Sequence, residues 1–517
     1  MLSVQHVSIV HLRDLRPLIE DVSFTVSGQE RLAVIGEEGN GKSSLLKLIY
    51  DPEMIKGYCS FSGRVSAPGE RMGYLPQEVP EESRNQPVYA FCAEHAAFLD
   101  TPPRELNSLC ARLRLPVETC YAEQPVSLLS GGEKIKLQLL LLLCGQPTML
   151  LLDEPSNDLD LDALRFLEKF ITGCGLPVIF ISHDETLLSC AATRVLHLEM
   201  AHHKKEPRWT LANVPYEQYM KERARWIERQ EIQAQMEKRE ARAQQERFLR
   251  IQQAVEQAQG NISRQDPHGG RLLKKKMKAV KSLEHRFERE REEQTQRPNI
   301  EYAMDASFAG SHSVPAGKRV LEMHLPILEA AGRTLARDID LLMTGPDKVL
   351  IIGENGCGKT TLLRFIEGLL QNRTDIHPAF MPQRYEEALE EEKTPIAYLH
   401  TRGDKDQLTR LRTYLGAFKF TREEMEHPIA RLSGGQKAKL LWLRILLSDA
   451  NVLLLDEPTR NLSPLSAPVV RELMCSFDGA ILAVTHDRTL IHKWPGRVLR
   501  LDQGGLAAVS EVELEQI

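Results

Sequence analysis

Residues 353–361 read "GENGCGKTT", and residues 36–44 read "GEEGNGKSS". Each stretch follows a short apolar run, "KVLIIG" or "RLAVIG", of the kind that forms a buried parallel strand. A strand running through GxxGxGK[ST] into a helix is a phosphate cradle. Its glycines let backbone N–H groups curl around an anion, and the helix adds the positive end of its dipole. Gly36, Gly39, Gly41, Lys42, Ser43 and Ser44 form one candidate cradle, and Gly353, Gly356, Gly358, Lys359, Thr360 and Thr361 the other. Lys42 and Lys359 should neutralise β- and γ-phosphates, while Ser43 and Thr360 should ligate Mg²⁺.

The duplication extends well beyond this loop. "LSGGEK" (129–134) is answered by "LSGGQK" (432–437), "LLLDEP" (150–155) by "LLLDEP" (453–458), and "ISHDET" (181–186) by "VTHDRT" (484–489). The offset is 317 from Lys42 to Lys359, 306 from Gln77 to Gln383, and 303 for Ser130 to Ser433, Asp153 to Asp456 and His183 to His486. A tandem pair of domains is the economical reading, with most of the first half's excess lying between the lysine and the glutamine. In each copy a buried strand ends in an acid pair. Asp153 and Asp456 should hold the metal, and Glu154 and Glu457 should orient or deprotonate an attacking water. Such a pair can simply cap a helix. His183 and His486, following at the spacing of a histidine that contacts the γ-phosphate, favour the catalytic reading.

Together with the glutamines in "YLPQE" and "FMPQR", these motifs resemble ATP-binding cassette domains. The LSGG element discriminates, since other P-loop NTPases lack it. The resemblance covers about residues 1–200 and 318–517 and implies two composite sites closed head-to-tail. Ser433, Gly434 and Gly435 would complete the site built on Lys42, and Ser130, Gly131 and Gly132 the one built on Lys359. Gln77 and Gln383 would sense the metal and the attacking water. Two fused cassettes with a helical linker and no membrane span resemble the ABC-F family, whose members act at the ribosomal exit (E) site.

Three departures qualify the match. The D-loop "SNDLDLDAL" of the first half becomes "TRNLSPLSA" in the second, setting Arg460 opposite Asn157 and Ser463 opposite Asp160, so the two sites are expected to be non-equivalent. Segments 8–18 and 320–330 contain no Phe, Tyr or Trp to stack on adenine, which leaves the choice between ATP and GTP open. The interval from Lys42 to Gln77 has no room for the "arm" insertion of some housekeeping members, and no long C-terminal extension is expected after His486.

Composition bounds the rest. A chain of 517 residues, 42% apolar and 27% charged, suits two or three globular domains. No secretory signal is read at its start, and the most apolar run, "LQLLLLLC" (137–144), is far shorter than the roughly 20 residues of a membrane span. Nine cysteines without CxxC spacing suit a reducing compartment and argue against a zinc site. Although the whole chain carries −6, residues 201–300 hold 23 Lys/Arg against 15 Asp/Glu. From Pro215 to about Gln259 there is no Pro or Gly, and Ile227, Ala234, Ala241, Phe248 and Val255 recur at sevens; Leu273, Val280 and Phe287 do the same on the return. Two antiparallel helices packed along a seam are predicted, the first on the order of 65 Å long. Between them "GNISRQDPHGG" (260–270) is a turn. Arg264, Arg271, Lys274, Lys275, Lys276, Lys278 and Lys281 cluster at this tip against a single acid, Asp266. Ordinary mixed-charge helix faces are merely solvated, but this excess calls for a polyanion. No aromatic lies in 260–285, so contact with a folded RNA backbone is preferred over base stacking.

The sequence therefore predicts an α/β fold of two P-loop ATP-binding cassette domains, 1–200 and 318–517, joined by an antiparallel α-helical hairpin linker, 201–317, with its basic tip near 260–281. The expected activity is hydrolysis of ATP to ADP and phosphate with Mg²⁺. The expected partner is the bacterial 70S ribosome, with 23S rRNA and P-site tRNA near the tip. A cytoplasmic monomer with intramolecular cassette pairing, no membrane and no obligate protein partner is anticipated. The resemblance implies ribosome protection against lincosamides, pleuromutilins or streptogramins A. The alternatives are a housekeeping factor relieving stalled ribosomes, the ATPase subunit of a transporter, or a DNA-repair ATPase. A transporter has no use for a basic hairpin, and the DNA-repair class carries zinc modules or much longer coiled coils.

Overall fold

A computed structural model describes residues 1–200, 206–260, 313–330, 332–400 and 405–515. Its architecture repeats, as the constant offsets require. In the first half, β3 (Arg31–Ile35), β5 (Met72–Leu75), β6 (Met149–Asp153), β7 (Val178–Ile181), β8 (Arg194–Met200) and β9 (Glu206–Ala212) make one sheet in the order β5-β6-β7-β3-β8-β9. The second half answers with β12 (Lys348–Ile352), β13 (Pro378–Met381), β14 (Val452–Asp456), β15 (Ala480–Val484), β16 (Arg497–Asp502) and β17 (Gly505–Ala508), in the order β13-β14-β15-β12-β16-β17. All neighbours are parallel except the final antiparallel pair, β8-β9 or β16-β17. "MLLLD" and "VLLLD" are unbroken apolar runs because both of these central strands are buried along their whole length.

Against each mixed sheet lies an antiparallel one. In the first half it has three strands, β1 (Leu2–His11), β2 (Pro17–Val26) and β4 (Cys59–Ser66), in the order β2-β1-β4. In the second it is the ribbon of β10 (Arg319–Ala330) and β11 (Arg333–Thr344). This difference explains the drop in offset from 317 to 306. After the helix Lys42–Tyr50 the chain adds a short helix, Glu53–Lys56, and β4 before reaching β5. In the second half the helix Lys359–Gln371 leads directly to β13. Val4, Ile9, Val22 and Phe24 meet Leu46 and Ile181 between the two sheets of the first half, and Val320, Ile339, Leu363 and Val452 do so in the second. Trp442, fully buried, joins the helical part of the second half to its sheet and donates its indole N–H to the Pro458 carbonyl at 3.1 Å.

The chain divides into two units, Met1–Tyr216 with Glu301–Ile517, and Glu217–Ile300. A single helix of 45 residues, Tyr216–Gly260, stands where composition predicts the first linker helix, about 65 Å long at 1.5 Å per residue. The turn, the return helix and the seven cations of the tip lie outside the described residues. Among the described residues, no helix is long and apolar enough to cross a membrane.

Candidate active sites

Both phosphate cradles are built by left-handed glycines at the start of a helix. Gly41 (φ 84°) and Gly358 (φ 103°) cap the helices Lys42–Tyr50 and Lys359–Gln371, and Gly39 (φ 77°) and Gly356 (φ 83°) turn the loop before them. Lys42 Nζ donates to the carbonyls of Gly36 and Glu37 at 2.8 and 2.9 Å, and Lys359 Nζ to those of Gly353 and Glu354 at 2.8 and 2.7 Å. Each lysine is thus folded back over its own loop, its charge held where an anion would enter. Ser44 and Thr361 continue the same first turns.

The strand-terminal acids come up beneath the cradles. Ser43 Oγ donates to Asp153 Oδ1 at 2.9 Å and Tyr74 donates to the other oxygen at 3.2 Å, while Thr360 lies close enough to lower the pKa of Asp456. Burial pushes both aspartates up. Asp456 Oδ2 is buried without a hydrogen-bond partner, an orphaned oxygen that a cation would satisfy. One carboxylate and one hydroxyl suit Mg²⁺, which keeps waters and takes phosphate oxygens for its remaining positions. Among the described residues no denser group of metal-ligating side chains occurs.

The two glutamates, equivalent in sequence, sit in unlike surroundings. Glu154 accepts from Gln77 Nε2 at 3.1 Å and Asn157 Nδ2 at 2.7 Å, and His183 Nε2 lies 3.1 Å from its other oxygen. Burial alone would raise its pKa, but the His183 charge and hydrogen bond, Lys42 and Asn157 outweigh that and hold it at about 2. Glu457 keeps only the backbone N–H of His486 at 3.2 Å and a long contact from Thr485 at 3.5 Å. Burial and the charge of Asp456 push it up to about 8. His486 Nε2 stands 3.7 Å away, too far to bond, and burial beside Lys359 lowers it to about 3, so it is neutral and forms no ion pair. The reason lies in the D-loop. Arg460, opposite Asn157, turns away from its own glutamate, donates to the Gln383 carbonyl at 3.4 Å and pairs with Asp158 of the other half at 2.6 Å.

Each cradle faces the other half's LSGG element. Ser130 and Ser433 cap the helices Gly131–Cys144 and Gly434–Leu446, each through a capping box with Glu133 or Gln436. The Gly435 N–H donates to the Glu38 carboxylate in the first cradle, with Gly434 packed against Asn461. In the second, Asn355 donates to the Asp158 carbonyl at 2.8 Å beside Gly131, while Gly132 packs against Ala163. Ion pairs flank these contacts: Arg471 with Glu185 at 3.0 Å, and Arg488 with Asp184 at 3.0 Å and Glu168 at 2.5 Å. A group that motif reading passed over lies between the halves. Glu37, 6% exposed, pairs with Lys439 at 2.7 Å and accepts from Ser463 and Ser466. Burial disfavours its charge, yet Lys439 and the two hydroxyls hold it at about 2. Aligning the two cradles does expose one signal, an acid at 38 opposite Asn355.

Comparison with known proteins agrees with this geometry. The family described as "ABC transporter" matches residues 19–157 and 336–460, about half of the chain. The ATP-binding protein Uup of Escherichia coli is 28% identical over 92% of this chain and 76% of its own length. ABC transporter F family member 5 of Arabidopsis thaliana is 25% identical, over 95% and 73%. A solved archaeal ribosome recycling factor, in complex with the ribosomal stalk protein, superposes with a TM-score of 0.58 at 16% identity, covering 98% of this chain and 90% of that one. A structure of RNase-L inhibitor gives 0.55 at 17%, over 98% and 91%. These two solved chains share the fold.

Proposed function

Because the chain belongs to the ABC transporter family and carries two of its ATPase cassettes in an ABC-F-like arrangement, we propose that it is a ribosome-bound ATPase whose linker tip contacts RNA. The observation that carries this is the combination in one chain of two facing cassettes and, between them, a 45-residue helix leading to the basic segment 263–281. Among the described residues no helix suits a membrane, and a stretch so rich in Lys and Arg is matched by phosphate backbones.

In this reading ATP shifts the population toward closed cassettes, because only the closed form offers each triphosphate both a P-loop and an LSGG element. Lys42 and Lys359 bind phosphate, Ser43, Asp153, Thr360 and Asp456 would hold Mg²⁺, and Gln77 and Gln383 would orient its surroundings. Mg²⁺, when bound, neutralises charge on the β- and γ-phosphates. Glu154, ionised and oriented by Gln77, Asn157 and His183, accepts a proton from water. Glu457, protonated at neutral pH in the nucleotide-free chain, is set differently, so the sites turn over unequally. Closed cassettes dock in the E site with the linker directed toward the peptidyl transferase centre, and hydrolysis releases the factor. The missing arm and the divergent second D-loop favour protection against drugs bound near that centre. A housekeeping role on stalled ribosomes is the second reading, favoured by the shared fold of the archaeal ribosome recycling factor.

The test is Glu154→Gln with Glu457→Gln in one chain, followed by sedimentation of lysate with and without ATP. ATP-dependent travel with 70S particles is expected. Protein left at the top of the gradient, or moving with membranes, overturns the ribosomal reading.

A further inference from the structure

At the position where the two P-loops meet the opposite cassette, one has Glu38 and the other Asn355. Asn355 is neutral and stays on the flank of its loop, its side chain on the Asp158 carbonyl at 2.8 Å. Glu38 turns inward. Its carboxylate accepts the Gly435 N–H and lies in the field of the Ser433 hydroxyl, His183 and Lys42, although burial outweighs them and pushes its pKa up. The P-loop lysine, the histidine, and the serine and glycine of the facing LSGG are the groups this site offers to a terminal phosphate. A carboxylate of the protein itself sits among all four and takes the Gly435 N–H, while Lys42 stays bonded to its own loop and His183 to Glu154.

We propose that the Glu38 carboxylate is an internal surrogate for the γ-phosphate, so that the first composite site stays closed on the nucleoside diphosphate that Glu154-assisted hydrolysis leaves, while the second closes only on a triphosphate. One backbone N–H cannot serve two anions, and a carboxylate beside a γ-phosphate adds like-charge repulsion in a poorly solvated site. A diphosphate leaves the Gly435 N–H with the carboxylate. The neighbouring residues fit this arrangement. Glu37 is fastened across the interface by Lys439 at 2.7 Å and by Ser463 and Ser466, which fixes the loop that carries Glu38. An aspartate at 463, matching Asp160, would confront the Glu37 carboxylate. Gly435 leaves room for Glu38, since a Cβ there would collide with the carboxylate. The second site lacks this lock: Lys136, the counterpart of Lys439, bonds the Arg114 carbonyl at 3.4 Å within its own cassette.

The inference rests on the nucleotide-binding reading above, and equilibrium dialysis of the full-length chain separates the two. In a Lys359→Ala background only the first site reports. ADP should bind there about tenfold or more tighter than a non-hydrolysable ATP analogue, and adding Glu38→Asn should tighten the analogue at least about tenfold while leaving ADP within about twofold. In a Lys42→Ala background, Asn355→Glu should install the same ADP preference in the second site. Glu38→Gln, close in shape and uncharged, reports the same shift should the asparagine variant fail to fold. Equal binding of ADP and analogue at the first site, unmoved by either Glu38 substitution, overturns the surrogate alone. Failure of the unsubstituted chain to bind either nucleotide overturns both readings.

Discussion

Replacing Glu154 and Glu457 by glutamine, one at a time in nucleotide-free protein, should move stability in opposite directions. Glu154 is about one-tenth exposed; burial opposes its charge, but His183 at 3.1 Å, Lys42 and Asn157 overcome that and hold it at about 2. A pKa lowered on folding stabilises the folded chain above the ordinary carboxylate range and loses that contribution as pH falls through about 2. At neutral pH the displacement from 4.5 to about 2 is worth about 3 kcal/mol, which Glu154→Gln removes. Glu457 behaves in the reverse sense. Burial and Asp456 push it up to about 8, so stability is greatest below the ordinary carboxylate range and is lost as pH rises toward about 8. Glu457→Gln relieves a cost of about 4 kcal/mol near pH 7.5 and of under about 1 kcal/mol near pH 5. Calorimetric melting at those two pH values should show Glu154→Gln lowering Tm at both. Glu457→Gln should raise Tm at about pH 7.5 and leave it nearly unchanged at about pH 5. Shifts of one sign for both variants, or a Glu457→Gln gain independent of pH, would refute the argument that the two glutamates sit in opposite fields.

Gly435→Ala should abolish closure of the first site, because its Cβ would collide with Glu38 and come within 2.6 Å of the Asn461 carbonyl. Gly132→Ala meets only the Ala163 methyl at 3.1 Å and should be tolerated, so nucleotides trapped per chain in the double-glutamine protein should fall for the first variant alone. Arg488→Met leaves Glu168 and the Oδ2 of Asp184 without their cation at a largely buried interface, Asp184 Oδ1 still capping its helix, and should cost on the order of 3 kcal/mol in urea denaturation; a loss below about 1 kcal/mol would mean the pair is solvated. Replacing Lys274, Lys275 and Lys276 by alanine should weaken ribosome binding and lower its salt dependence by about one unit for each phosphate no longer neutralised; an unchanged slope removes the tip from the RNA interface.

The two cradles and the buried strands that lead into them were legible because their signals are local. A left-handed glycine turn, a capped helix and a fully buried strand each need particular residues within a few positions, and the constant offset of 303 showed that both copies keep the same sheet. β4 was not legible. "CSFSGRVS" is mostly exposed and shows no clear alternation, and it is a strand because β1 offers it an edge. The setting of Glu37 was equally hidden, since its partner Lys439 is 402 residues away and no periodicity reaches that far. Arg460 was visible as a departure from Asn157. That it would abandon its own glutamate for Asp158 depends on how the two cassettes face each other.

The departures of the second D-loop are matched across the interface, and this bears on what the asymmetry is for. Ser463 meets Glu37, where an aspartate would repel it, and Arg460 meets Asp158, where an asparagine would bring no charge. A site that had merely decayed would leave buried charges without partners, at a cost of several kcal/mol each. In the first site Glu37, Glu38 and Glu154 are each bonded by groups of the chain itself, and one ring nitrogen of His183 is buried without a partner while burial pushes Glu38 up. In the second, Asp456 Oδ2 and both ring nitrogens of His486 are buried without partners, and Glu457 is pushed toward its neutral form. Polar groups buried in that condition are costly until an external ligand bonds them. The second site therefore gains more from a complete nucleotide and its cation than the first, and closure driven by a triphosphate should be governed from Lys359 rather than from Lys42.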